Sequence, residues 1–481
     1  MSNGAHMGLE EFKAYGHEVI DWIADYWATL QDRPVSSTVS PGDITDALPQ
    51  SAPEEAEEFS AVLADLDTVI LPGITHWQHP RFFGYFPSNT SPAAVLADLL
   101  SSGIGAQGMM WATSPALTEL EITTTDWLGQ AIGLPADFLH RGGTGGGVIQ
   151  DTASTATIAA TLAALHRVSH GRYRKEGQGD TRFRIYASAQ AHSSVQKAAL
   201  VTGLGELNVQ LVPENKATQR LKVEHLASVL EADRLAGVRP AMIVAAVGST
   251  STGAVDDVRA LGELAREYGA WLHIDAAWAG VAAICPEHRD LLDGVAEYAD
   301  SIVINPHKWM LTTFDCSVLW TRDKASLVGS MTNLPEYLRN KATDSGAVVD
   351  FRDWHPQLGR RFRSLKLWTV LRTYGLEGIR QHVRSSIDRA IRFEELLAGD
   401  ERFSLPVPRS LALVTFQLSD DDTTLAVMER LNESGVAFLT HTRVNGRAAL
   451  RLATGALHTS DEDIARTYQA LSEAAEAVQS S

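Results

Sequence analysis
Cysteine is nearly absent: Cys285 and Cys316 are the only two in 481 residues, and both lie in apolar stretches. A disulfide framework needs more, and so few is usual in a large intracellular enzyme. Positive charge is in deficit, with 41 Lys and Arg against 59 Asp and Glu, a formal charge of −18. That balance argues against nucleic acid or an anionic membrane as the main partner. Long apolar runs are missing too. The longest, such as Ala241 to Val247, fall far short of the roughly 18 residues a membrane span needs. No basic stretch followed by an apolar run opens the chain, so no secretory signal is expected. The opening MSNGAHM reads as a vector-derived leader and is set aside. A cytoplasmic location is expected.

Several motifs are also missing. The glycine run Gly142–Gly147 has no Walker lysine and precedes a strand, so it is no nucleotide fingerprint. It reads as a flexible approach to a site. His76 and His79 lack a His-Glu-x-x-His context, which discounts a metallohydrolase. No Gly-x-Ser-x-Gly elbow marks a serine hydrolase.

What is present is a globular composition, 44% hydrophobic and 21% charged. The length implies two or three packed units. Ile20, Ile23, Trp27 and Leu30 recur at helical spacing from a start near Leu9, with aromatic bulk suited to burial against another surface. The acid-rich PEEAEEF, from Pro53, predicts the first turn of another helix. In the middle, short apolar runs at 184–187, 241–247, 271–274 and 301–304 alternate with helical stretches such as 256–268. That pattern predicts a mainly parallel sheet covered on both faces, with ligands at the carboxyl ends of its strands. Toward the end, 403–418 and 436–452 read as strands, with a hairpin at Asn445-Gly446, and 424–433 and 461–478 as helices. This makes a small α+β unit.

Four signals carry chemistry. In SIVINPHKWM a strand ends directly in Asn305, Pro306, His307 and Lys308. A desolvated lysine there is a candidate Schiff-base nucleophile, although most lysines are surface charges. In WLHIDAAWAG a buried strand ends in Asp275, costly unless a cation faces it; capping the next turn is the plainer role. In VIQDTASTATIAATLAAL a strand turns into an alanine-rich helix whose first amides, at Ala153 and Ser154, suit an anion or a plain cap. His192, after the strand at 184–187, can stack on a flat ring or simply pack.

The combination and order decide between these readings. HSSVQKAA, HIDAAWAG and NPHKW resemble the motifs of the group II pyridoxal-phosphate decarboxylases, the family that includes aromatic-L-amino-acid and histidine decarboxylases. HPRFFGYFPS, WATSPALTELE, FDCSVLW and LGRRFRSLKLW match as well, and the resemblance runs from about Leu9 to at least Gly375.

The resemblance implies an aminotransferase-like (fold type I) α/β protein in three parts. These are an N-terminal helical dimerisation segment (8–95), a large cofactor-binding domain (96–375) and a small α+β domain (376–481). It implies that pyridoxal 5′-phosphate joins Lys308. Asp275 would pair with the ring nitrogen. His192 would stack on one face and Ala277 on the other. Ala153, Ser154, Thr250 and His307 would hold the phosphate, with Asn305 in support. Tyr337, on the loop NLPEYLRNKATDSG, would protonate the α-carbon. The partners implied are a small amino acid and a second copy, with active sites at the subunit interface.

Tyr85, Phe86, Pro87 and Trp111 would wall the substrate pocket. Gly359 stands where histidine-specific and some tyrosine-preferring relatives carry serine. That leaves room for an indole and favours tryptophan, ahead of DOPA, tyrosine and phenylalanine. Gln107 and Met109 stand where animal relatives have bulkier apolar residues. An aldehyde synthase would typically replace the loop tyrosine or the stacking histidine, and both are intact. An acidic-substrate decarboxylase would need a cationic clamp, absent from the segment at Phe82–Ser88. An inactive binding protein of the same fold would have lost Lys308 or Asp275.

Overall fold
The computed structural model describes residues 7–333 and 341–480. Helix α1 (Leu9–Thr29) opens with Glu11 reaching back to the Gly8 amide, which satisfies one of the first turn's free donors. None of its residues is buried within the chain; Leu9 is 86% and Phe12 59% exposed. The acid run does not start a helix, contrary to the expectation from sequence. The helix begins after it, at Phe59, and ends at Asp65. Four glutamates in the six residues 53–58 would stack like charges at i, i+3 and i, i+4. Helix α2 (Pro92–Ile104) is capped by Ser91, and α3 (Pro115–Ala131) follows.

A seven-stranded sheet forms the centre, in the order β1-β7-β6-β5-β4-β2-β3. Its strands are β1 (Gly146–Gln150), β2 (Phe183–Ser188), β3 (Val209–Val212), β4 (Arg239–Ala246), β5 (Trp271–Asp275), β6 (Ser301–Ile304) and β7 (Ser317–Thr321). Only β7 runs antiparallel to the rest. Side chains alternate between two cores, as a strand buried on both faces requires. Phe183, Ile185 and Ala187 join Met242 and Val244 on one side; Tyr186, Ile243 and Ala245 join the other. Helix α4 (Ala153–Val168) covers the first side with Ala156, Ala159, Ala160 and Ala163 buried, small side chains that let it approach closely.

The glycine run is not the flexible approach that the sequence suggested. Gly146 and Gly147 belong to β1, where a Cβ would collide with the His140 ring, Thr125 and Trp320. Close approach of neighbouring groups, not mobility, accounts for glycine there.

Helix α5 (Val258–Tyr268) lies between β4 and β5, and the long α6 (Arg363–Ala398) bends at Gly375, φ 62°. Beyond it lies an antiparallel sheet, β8-β10-β9, made of β8 (Leu413–Phe416), β9 (Thr440–Val444) and β10 (Arg447–Ala453). Asn445 and Gly446 turn the β9–β10 hairpin with φ 53° and 85°, the left-handed pair that a tight hairpin favours. The strand expected over 403–418 is confined to β8. Pro406 and Pro408 cannot donate to a ladder, and Leu411 adopts φ 49°. Helices α7 (Asp421–Glu433) and α8 (Asp461–Gln479) cover this sheet. The segment before α2 joins it as well: Phe83 donates to Phe438 O at 2.9 Å and accepts from Ala453 N–H at 3.1 Å.

Candidate active site
The carboxyl ends of β1, β2, β4, β5 and β6 converge on a cavity of 210 Å³. Ala153, Ser154, His192, Thr250, Asp275, Ala277, Asn305, His307 and Lys308 all border it, as does Phe86. This is where a doubly covered parallel sheet leaves its strand-end loops free to carry chemistry.

Lys308 sits on the short turn Pro306–Trp309 that follows β6. Its amine makes no hydrogen bond or ion pair among the described residues; the Phe86 ring centroid lies 5.4 Å away. Burial lowers its pKa, the Asp275 carboxylate works against that shift, and Arg451 adds to it. An ammonium so placed gives up its proton more readily than a surface lysine, as a nucleophilic amine must.

Asp275 closes β5. One oxygen accepts the Ala277 N–H at 3.2 Å, and no arginine or lysine forms a salt bridge with it among the described residues. His192 accepts the Ser194 N–H on Nδ1 at 3.1 Å, so its neutral ring carries the proton on Nε2. Burial holds its pKa below the ordinary value. His307 is fixed the same way, with Nδ1 accepting Cys316 N–H at 2.9 Å, and burial presses its pKa down to about 3. Asn305 Oδ1 accepts the Ser317 hydroxyl at 2.6 Å, and its backbone N–H donates to Ala277 O at 2.9 Å. Thr250 rides a tight turn after β4, in which Ser249 Oγ accepts Ala254 N–H and Gly248 adopts φ 89°.

The start of α4 could hold an anion. No side chain caps it, so its first amides remain free to donate. An uncapped helix start, a nearby hydroxyl, an unpaired amine, a carboxylate without a cation and neutral imidazoles make up the donor set. These are the groups that a flat, phosphorylated pyridine aldehyde requires, so the residues fit pyridoxal phosphate.

The aromatic wall is a stack. Phe86 lies 4.3 Å from Trp278, which lies 5.4 Å from Trp309, both near parallel. Two groups escaped the sequence reading. Phe314 borders the cavity at its mouth, 4.8 Å from His307. Arg451 lies over Phe86 at 5.1 Å and is 3% exposed, bonded to the Ser251 and Tyr85 carbonyls and the Thr440 hydroxyl but to no carboxylate among the described residues. Burial lowers its pKa to about 10. A charge inside the apolar run AALRLA was the available signal.

Not every expected residue gathers here. Tyr85 is half exposed and stacks on Trp77, and Pro87 packs against Gly455, so neither borders the cavity. Trp111 is held by Asp350 and Glu119, Gln107 lies beside Gly359, and none of these residues, nor Met109, borders the Lys308 cavity of the same chain. Tyr337 lies outside the described residues. A wider cleft of 1150 Å³ opens at the amino ends of the strands, but no lysine borders it.

Residues 41–419 match the model of the pyridoxal-dependent decarboxylase conserved domain. The chain belongs to that family. This decarboxylase is 43% identical over 480 residues to a phenylacetaldehyde synthase of Arabidopsis thaliana, covering 98% of the chain and 96% of the relative. It is 42% identical over 472 residues to tyrosine decarboxylase 2 of Narcissus pseudonarcissus, covering 96% and 93%. Its fold matches the crystal structure of Oryza sativa TDC with PLP and tryptamine at a TM-score of 0.95 and 39% identity, over 98% and 99% of the two chains. The decarboxylase is thus a carboxy-lyase of fold type I that works with pyridoxal phosphate.

Proposed function
We propose that this enzyme removes the α-carboxylate of aromatic L-amino acids, releasing the amine and CO₂. The observation that carries the reading is the unpaired Lys308 amine and Asp275 carboxylate bordering one aromatic-walled cavity. Bound pyridoxal phosphate supplies a sink for the electron pair left when CO₂ departs. The chain's own residues do the rest. The α4 start and Thr250 hold the phosphate, with His307 beside them. Asp275 would face the ring nitrogen and favour its protonated form. His192 and Ala277 would flank the ring. Lys308 would carry the cofactor on its amine. Arg451, a buried cation without an anion, draws the substrate carboxylate toward Phe86. Tyr337 returns a proton to the α-carbon, and its loop excludes water.

The enzyme works as a homodimer in the cytoplasm. The exposed apolar residues of α1 and α2, among them Phe12, Leu99, Leu100 and Ile104, line an 820 Å³ groove suited to a second copy. Its parts divide at 8–95, 96–375 and 376–481, the last boundary falling at the Gly375 bend. No helix among the described residues is long and apolar enough to cross a membrane.

The similarity to phenylacetaldehyde synthase supports a second reading, decarboxylation with oxidative deamination. Product analysis separates the two. Amine and CO₂ in equal amounts support decarboxylation; aldehyde with stoichiometric ammonia and peroxide would replace it.

A further inference from the structure
His273 is a buried ionisable group to which the proposed function gives no part. It lies on β5, two residues before Asp275. Side chains alternate along a strand, so Trp271, His273 and Asp275 share one face, the last two about 7 Å apart along it. The strand partners of His273 are Val244 on β4 and Ser301 on β6. Val244, Val303 and the alanines of α4 wall that face with hydrocarbon. The imidazole between them is fully buried.

Ser301 fixes the tautomer of that ring. Trp271 Nε1–H, which can only donate, donates to Ser301 Oγ at 2.8 Å. His273 Nδ1 lies 2.8 Å from the same oxygen. The serine hydroxyl therefore donates to Nδ1, and Nε2 carries the ring proton. The opposite tautomer would leave both the hydroxyl hydrogen and the Nε2 lone pair without a partner. As it stands, only the Nε2–H lacks one among the described residues. Thr161 on α4, also buried with an unpartnered hydroxyl, does not bond to it. Burial lowers the His273 pKa to about 4, with the Asp275 carboxylate opposing the shift, so the ring is a neutral donor at neutral pH.

We propose that His273 is a positioning residue whose Nε2–H dipole supports the Asp275 carboxylate and so keeps the proton that Asp275 shares with the cofactor on the ring nitrogen. A donor behind a carboxylate lowers its affinity for a proton. A cation there would do the same, but it would also cancel the negative charge that the ring nitrogen faces. A neutral N–H leaves that charge in place. The opposite tautomer would set a lone pair toward the carboxylate and drive the proton back to it, which gives the Trp271–Ser301 pair its part. Without the donor the proton moves toward the carboxyl and the ring becomes a weaker electron sink. The loss then falls on turnover and not on substrate binding. The inference rests on the proposed placement of Asp275 against the ring nitrogen.

The test is nitrogen NMR of the holoenzyme, reconstituted with pyridoxal phosphate labelled at its ring nitrogen, beside steady-state kinetics. The proteins are the parent, His273→Phe, His273→Gln and Ser301→Ala, with Asp275→Asn as the reference for a neutral ring nitrogen. The parent resonance is expected at the protonated position. Phenylalanine keeps a flat ring and removes the donor. The resonance should move toward the Asp275→Asn position, and kcat should fall about tenfold with KM unchanged. Glutamine returns an N–H and should restore most of both. Ser301→Ala frees the tautomer and should move the resonance the same way by less; as the smaller change, it carries the test where the phenylalanine variant does not fold. A resonance and kcat that neither His273→Phe nor Ser301→Ala moves, or a loss that glutamine does not recover, overturns the inference alone. A resonance that Asp275→Asn leaves at the protonated position overturns the placement of Asp275 and the inference with it.

Discussion
Replacing Glu121 by glutamine should cost far more than a surface change of the same size. Glu121 is fully buried and the Arg360 side chain is 2% exposed. Arg360 donates to both carboxylate oxygens, at 2.5 and 2.9 Å, and also to Ile149 O; Glu121 accepts Ile149 N–H at 2.8 Å. The pair therefore ties α3, β1 and the Gly359 segment together. Removing one charge leaves a guanidinium desolvated without a counter-ion, a loss of about 3–5 kcal/mol. At roughly 2 cal/mol/K per residue the whole chain unfolds with an entropy near 1 kcal/mol/K, so the melting point should fall by about 3–5 °C. Thermal unfolding of the holoenzyme, followed by circular dichroism, measures it. The double variant Glu121→Leu, Arg360→Met should lose less than the worse single variant, because no buried charge is left unpaired. A single-variant loss below about 1 kcal/mol, or a double variant that simply sums the singles, would refute the buried-charge argument.

Other perturbations test other parts. Arg451→Gln should raise KM for every amino acid substrate by about tenfold or more while the cofactor stays bound, as steady-state kinetics beside an absorbance scan will tell. Tyr337→Phe should shift products from amine toward aldehyde, ammonia and peroxide; an unchanged product mixture would remove Tyr337 from the protonation step. Acid should destabilise the fold below about pH 6. His79, His273, His307 and His355 are buried, and burial lowers their pKa values to between about 3 and 4, so the unfolded chain binds their protons first. Stability from these groups is complete above the unfolded histidine pKa and is lost as pH falls toward 4. Asp256, buried and raised to about 6, binds one proton in the folded state and offsets one histidine. With His382, which burial also lowers to about 4, the net of four protons sets a limiting slope of about 5 kcal/mol per pH unit, readable from urea midpoints between pH 6 and pH 4.5.

The strand ends were legible in the sequence because an apolar run that stops abruptly at Asp275 or Asn305 shows where a buried strand meets its loop. Lys308 and His192 were legible through their neighbours, not through their own chemistry. Arg451 was not, because its meaning depends on a cavity assembled by residues more than a hundred positions away. The acid run at Pro53 misled because its proline and glutamates fit a first turn one at a time, while their mutual repulsion acts only on the helix as a whole. The glycines before β1 misled for a similar reason: glycine marks freedom in a loop but close packing in a strand, and only the neighbours His140 and Trp320 tell the two apart. The pocket walls were half legible. Phe86 borders the Lys308 cavity, whereas Trp111 and Gly359 do not.

The central claim is that Lys308 carries pyridoxal phosphate for decarboxylation of aromatic amino acids. An absorbance scan of the purified holoenzyme and of Lys308→Ala tests it most directly, each followed by incubation with tyrosine, DOPA, tryptophan, phenylalanine, histidine and glutamate and assay of amine and CO₂. A visible cofactor band in the parent, lost in the variant together with amine formed mainly from the aromatic set, is the result expected. No band after added pyridoxal phosphate, or a band with product only from glutamate or histidine, would contradict the account.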